Sequence, residues 1–187
     1  HDERTRADDA ASYVEIADSG GYDECFPTVG ACVVPADVPG FGGLRLPDHG
    51  ELWPQRPEVA VGADGDEATV RWTGRRMPYA FERTVRVDAD GAVAMRYAAT
   101  NGGDRPMPFL WSAHPLLPLG PRARVHLPRG ARLRVDAAHG IALDADADAA
   151  WPTLRADGRA VDVSHPAAVG DGWACKLFLD LPAGPVV

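Results

Sequence analysis

Three stretches in the middle of the chain, Glu67–Thr73, Tyr79–Asp88 and Ala92–Thr100, alternate apolar with polar or small residues. In an extended backbone successive side chains point to opposite faces, so each stretch predicts a strand with one wet face. Asp88-Ala-Asp-Gly91 joins the second to the third, and Asp-Gly is favoured hairpin chemistry, so these two strands should pair antiparallel. Asn101-Gly102-Gly103 turns again before Met107–His114, a largely apolar extended run expected to be buried. Ala123–Leu127, Ala131–Val135 and Trp173–Leu181 are shorter strand candidates. Between Tyr13 and Pro57, Gly and Pro recur so closely that only short extended pieces such as Thr28–Val34 fit between them. Residues 1–12 show neither period and read as a loose arm. With no amphipathic helix beyond two turns, no repeat and no linker, the pattern predicts one all-β domain over residues 1–187, an antiparallel sandwich or barrel.

Composition narrows the function classes. The 187 residues include 20 Gly and 17 Pro, a turn-rich content that 45% hydrophobic residues keep within the globular range. A domain of this length buries enough surface for a core without a staple. The net charge is −8, and Lys176 is the single lysine. Phosphate binding needs clustered positive charge, so neither nucleic acid nor an anionic membrane is an expected partner. No apolar run reaches the length of a spanning helix, and the first residues lack the regions of a signal peptide. Cys25, Cys32 and Cys175 are odd in number with no C-x-x-C pair, which fits buried thiols in a reducing, cytoplasmic setting. Asp144-Ala-Asp-Ala-Asp148 lacks the Gly and closing Glu of a calcium loop and reads as a solvated loop.

Two histidines stand in contexts suited to chemistry. His49 lies in the loop Leu46-Pro-Asp-His-Gly-Glu-Leu-Trp53, and His114 closes Phe109-Leu-Trp-Ser-Ala-His114 before Pro115. Each is either a partly buried histidine satisfied by a backbone carbonyl or a titratable group pointing into a pocket. His126, His139 and His165 sit among turn residues and read as surface. His49 and Glu51 form an H-x-E pair that, with His114, would supply a two-His-one-carboxylate site of the cupin kind if both lay on one strand face. Gly50 and Pro47 favour a turn there instead, and no metal is expected. The common hydrolase, nucleotide and metalloprotease motifs are absent.

Four runs then point one way: G-Y-D-E-C-F-P-T-V ending at Val29, L-P-D-H-G-E-L-W ending at Trp53, the alternating Tyr79–Asn101 region, and P-F-L-W-S-A-H-P-L-L ending at Leu117. Together they resemble the aldose 1-epimerase (galactose mutarotase-like) superfamily, in particular its divergent bacterial members, over about Ser19 to Leu119. The resemblance implies an antiparallel β-supersandwich, a cleft for a small-molecule sugar, and no cofactor. Anomers interconvert when a base takes the C1 hydroxyl proton while an acid protonates the ring oxygen. Carried over residue by residue, His114 matches the family's acid and His49 its ring-side histidine.

The family's base, a glutamate far towards the C-terminus, has no match here, because no Glu follows Glu82. The resemblance therefore implies a chain lacking both ends of a longer β-sandwich. Arg45 or Arg56 is expected at the rim of a cleft lined by Trp53 or Trp111. The alternative is a non-catalytic carbohydrate-binding sandwich in which Trp53 and Trp111 stack on the sugar and Asp23, Glu24 and Arg45 bind hydroxyls. A cupin-like metal enzyme is the third reading.

Overall fold

The period-two stretches fold as strands, and the loop between two of them closes as its Asp-Gly pair predicts. In the computed structural model, which describes residues 21–117, 120, 122–128, 130–144, 149–165 and 172–180, there is no helix among the described residues. The protein is all-β. The chain divides into two compact units, His1–Leu117 and Pro118–Val187, where the patterning expects one domain. The expected arm at residues 1–12 lies outside the described residues.

The first unit carries β1 (Tyr22–Cys25), β2 (Cys32–Val33), β3 (Arg45–Leu46), β4 (Glu58–Val61), β5 (Glu67–Thr73), β6 (Tyr79–Val87), β7 (Val93–Asn101) and β8 (Ser112–Pro115). Strands β4-β5-β6-β7 form an antiparallel sheet in that order, β2 pairs with β3, and β1 pairs with β8. The β6–β7 loop is closed by Gly91 N–H donating to the Asp88 carbonyl at 2.8 Å, with Gly91 at φ 85°, a conformation glycine adopts without a Cβ penalty.

Alternation then sorts the faces of the sheet. Trp72 lies opposite Phe81, and both are buried with Tyr79, while the neighbouring Arg71 and Glu82 form an ion pair on the wet face. Phe26, which follows β1 and is 0% exposed, fills the centre of the core. Its ring stands edge-on to Tyr79 at 4.7 Å and lies against Phe81 at 4.8 Å. Burying one such ring contributes about 1.5–3 kcal/mol.

The second unit pairs β9 (Arg132–His139) with β12 (Ala174–Asp180) and β10 (Thr153–Ala156) with β11 (Arg159–Asp162), both antiparallel. Asp157 and Gly158, at φ 50° and 71°, make the tight β10–β11 turn. Leu133, Trp151 and Leu154 form the core of this unit.

Some expectations need correction. Only the end of Met107–His114 is strand, and Phe109, Leu110 and Trp111 are 54%, 62% and 42% exposed. Pro106 and Pro108 have no N–H to give a ladder, and Leu110 N–H donates instead to the Pro27 carbonyl. Ala123–Leu127 is not a strand; its Val125 N–H donates to the Ser164 carbonyl. Cys25 is buried, but Cys32 is exposed and Cys175 half-buried. Asp144 accepts from the Gly158 N–H, while residues 145–148 of the acidic loop lie outside the described residues.

Candidate functional site

The site grows from the β1–β8 ribbon. Its register places Tyr22 opposite Pro115, Asp23 opposite His114, Glu24 opposite Ala113 and Cys25 opposite Ser112. Because side chains alternate, Tyr22 and Glu24 leave one face of the ribbon while Asp23 and His114 leave the other. The first face meets the large sheet. Arg83 Nη1 on β6 donates to both carboxylate oxygens of Glu24, at 2.8 and 2.9 Å. The Tyr97 hydroxyl donates to that of Tyr22 at 2.8 Å. Trp111 belongs to this side as well, its ring 4.9 Å from that of Tyr97.

The other face receives the His-Gly loop, and the reason is steric. Gly50 sits at φ 75° against the backbone of Phe26, where a Cβ would collide with the Phe26 carbonyl. The next residue locks the approach, Glu51 N–H donating to that same carbonyl at 2.8 Å. His49, itself at φ 57°, donates its N–H to the Val29 carbonyl at 3.1 Å. Non-glycine residues seldom take positive φ, and such positions concentrate at functional sites. The His49 ring is held on two sides: Nδ1 is 2.8 Å from Asp48 Oδ2, and the ring lies 4.5 Å from that of Trp53.

These constraints bring the two imidazoles together. The rings of His49 and His114 meet edge to face, centroids 6.1 Å apart at an interplanar angle of 84°. His114 is solvent-exposed, whereas the His49 side chain is 15% exposed. Asp23 lies deeper, at 8% exposed. Burial pushes its carboxyl above the usual carboxylate range, against the opposing pull of His114, Arg83 and His49. Two imidazoles and a carboxylate can move protons in both directions on a ligand bound at their open side.

Of the sequence candidates, His49, His114, Asp23 and Trp53 come together. Glu24 and Trp111 lie on the opposite face of the ribbon, and Glu24 is taken up by Arg83. Arg45 is exposed on β3, opposite Val33. Arg56 lines a separate cavity of about 420 Å³, with Arg71, Glu82 and Thr100, whose walls include neither imidazole. Glu51 is 1% exposed and accepts from the N–H groups of Arg75 and Arg76 and from the Tyr79 hydroxyl, at 3.1, 2.9 and 3.0 Å. The H-x-E pair is thus a turn whose carboxylate serves the loop before β6, so Glu51 does not join the histidines as a metal ligand would. Among the described residues no group of three or more His, Cys, Asp and Glu is placed to hold a metal ion.

Sequence reasoning missed the direct pairing of Asp23 with His114, and with it Arg83. Fold and site together define an all-β protein with a paired-imidazole site backed by a buried carboxylate. No protein family, curated protein or solved structure matches the chain. No helix among the described residues is long and apolar enough to cross a membrane.

Proposed function

We propose that the protein interconverts the anomers of a small-molecule sugar, as an aldose 1-epimerase-like isomerase without a cofactor. The edge-to-face meeting of His49 and His114 carries this reading, since it gathers two distant histidines into one solvent-open site. In it, His114 gives its proton to the ring oxygen and His49, fixed by Asp48 and Trp53, holds the ring. The reading includes the antiparallel β-supersandwich expected of this class, and a place in the reducing cytoplasm, which the free cysteines suit.

A second reading, sugar binding without catalysis, is favoured by Trp111, an exposed ring beside Tyr97 that offers a stacking surface. Polarimetry on freshly dissolved sugar separates the two. His114→Asn keeps a hydrogen-bonding group of similar reach but cannot protonate the ring oxygen. It should lower the interconversion rate by about 10²–10⁴ and leave affinity within a few fold. A wild-type chain that binds sugar and does not change its rotation belongs to the second reading.

A further inference from the structure

We propose that Asp23 is the base of this site, so that the groups exchanging protons with the sugar are Asp23 and His114, paired across β1 and β8. The assignment rests on the anomer-interconversion reading and names its proton acceptor.

Its ground is geometric. Asp23 and His114 are direct register partners on antiparallel strands, and side chains so placed leave the same face with Cβ atoms about 4.5–5.5 Å apart. His49 stands on that face too, which puts the carboxylate and both imidazoles around one volume. Asp23 also differs from His114 in depth, buried against exposed, so a sugar entering from solvent meets the acid first and the base at the floor. The groups acting on it are His114 from β8, Arg83 from β6 and His49 from the His-Gly loop. Burial outweighs their pull and keeps the carboxyl readier to hold a proton than an exposed one.

The step balances without any further reactant. The Asp23 carboxylate takes the proton from the C1 hydroxyl, and the O–H electron pair becomes the carbonyl bond at C1. The bond from C1 to the ring oxygen breaks, and that oxygen takes a proton from His114. The open-chain aldehyde turns about C1–C2. On closure the ring oxygen attacks C1 from the other side and returns its proton to His114, while the carbonyl oxygen takes back the proton held by Asp23. Nothing is oxidised or reduced, and both residues end as they began.

The test uses the full chain and follows the optical rotation of freshly dissolved α-D-glucose and α-D-galactose. Asp23→Asn should lower kcat by about 10²–10⁴ with KM within a few fold, and Asp23→Glu should recover part of the loss. The acid limb of the wild-type pH profile of kcat/KM should vanish in Asp23→Asn. Near-wild-type kcat in a folded Asp23→Asn protein overturns the assignment, and a large loss in His114→Asn beside it leaves the wider reading standing. If Asp23→Asn does not fold, the wild-type profile decides: a kcat/KM without an acid limb overturns Asp23 as base. A wild-type chain inactive on both sugars overturns the reading and the assignment together.

Discussion

Substituting Gly50 by Ala tests the contact that delivers His49 to the site, and Gly43→Ala supplies the control. Both glycines have positive φ, 75° and 81°, so both variants carry the backbone penalty of an L-residue there, about 1–2 kcal/mol. Nothing lies within 4 Å of a Cβ built on Gly43. The Cβ of Gly50→Ala would meet the Phe26 carbonyl, and that collision ends only if the loop or the end of β1 moves. Movement breaks the 2.8 Å bond from Glu51 N–H to that carbonyl, worth about 1 kcal/mol, and disturbs the packing of Phe26. The expected loss is about 1–2 kcal/mol for Gly43→Ala and about 3–5 kcal/mol for Gly50→Ala. Urea unfolding followed by tryptophan fluorescence gives both numbers under one extrapolation. Equal losses within about 0.5 kcal/mol would mean that the close approach to Phe26 does not hold the loop.

Three further outcomes are expected. Glu51→Gln places an amide N–H₂ among three donors and should cost about 2–3 kcal/mol in the same assay; a loss below about 0.5 kcal/mol would show that solvent reaches those donors. Burial, helped by the charges of Asp48, Asp23 and Glu24, pushes the Cys25 thiol up to about 11, so at pH 8 about one molecule in 10³ carries the thiolate. Iodoacetamide should modify exposed Cys32 well before Cys25, and peptide mass spectrometry showing equal rates would contradict the buried placement. Asp23 has a folded-state pKa above its ordinary 3.8, so its ionisation costs stability as pH rises through the folded value. Asp23→Asn should therefore be more stable than wild type at pH 7, with the advantage gone below about pH 3.8; a thermal scan showing it less stable at pH 7 would reverse that sign.

The sheet β5-β6-β7 was legible because its contacts are local: a period of two shows the faces, and Asp90-Gly91 shows the turn. Strand β1 was not. Tyr-Asp-Glu-Cys has no apolar alternation, and its partner β8 lies far along the chain, so only tertiary pairing makes it a strand. Hydrophobicity misled at Phe109–Trp111, where prolines leave the backbone outside any sheet and the side chains stay exposed. The approach of His49 to His114 could be expected from resemblance and not from spacing. Its cause, a glycine seated on the Phe26 carbonyl, is a property of two segments at once. Asp157-Gly158 carries the same turn signal as Asp90-Gly91, but the strands it joins are only four residues long, too short to show a period of two.

Asp23 and Glu24 are neighbours with the same charged group, yet one faces the imidazoles and the other faces Arg83. Which does which is decided by parity alone, so the Glu24–Arg83 ion pair works as an index pin for the whole ribbon. A slip of one residue would offer Arg83 the wrong carboxylate and turn the site inside out, with every residue still present. A damaging change could therefore fall at Arg83, on the far side of the ribbon from His114. A transplant of this site to another scaffold would have to carry the pin along with the histidines.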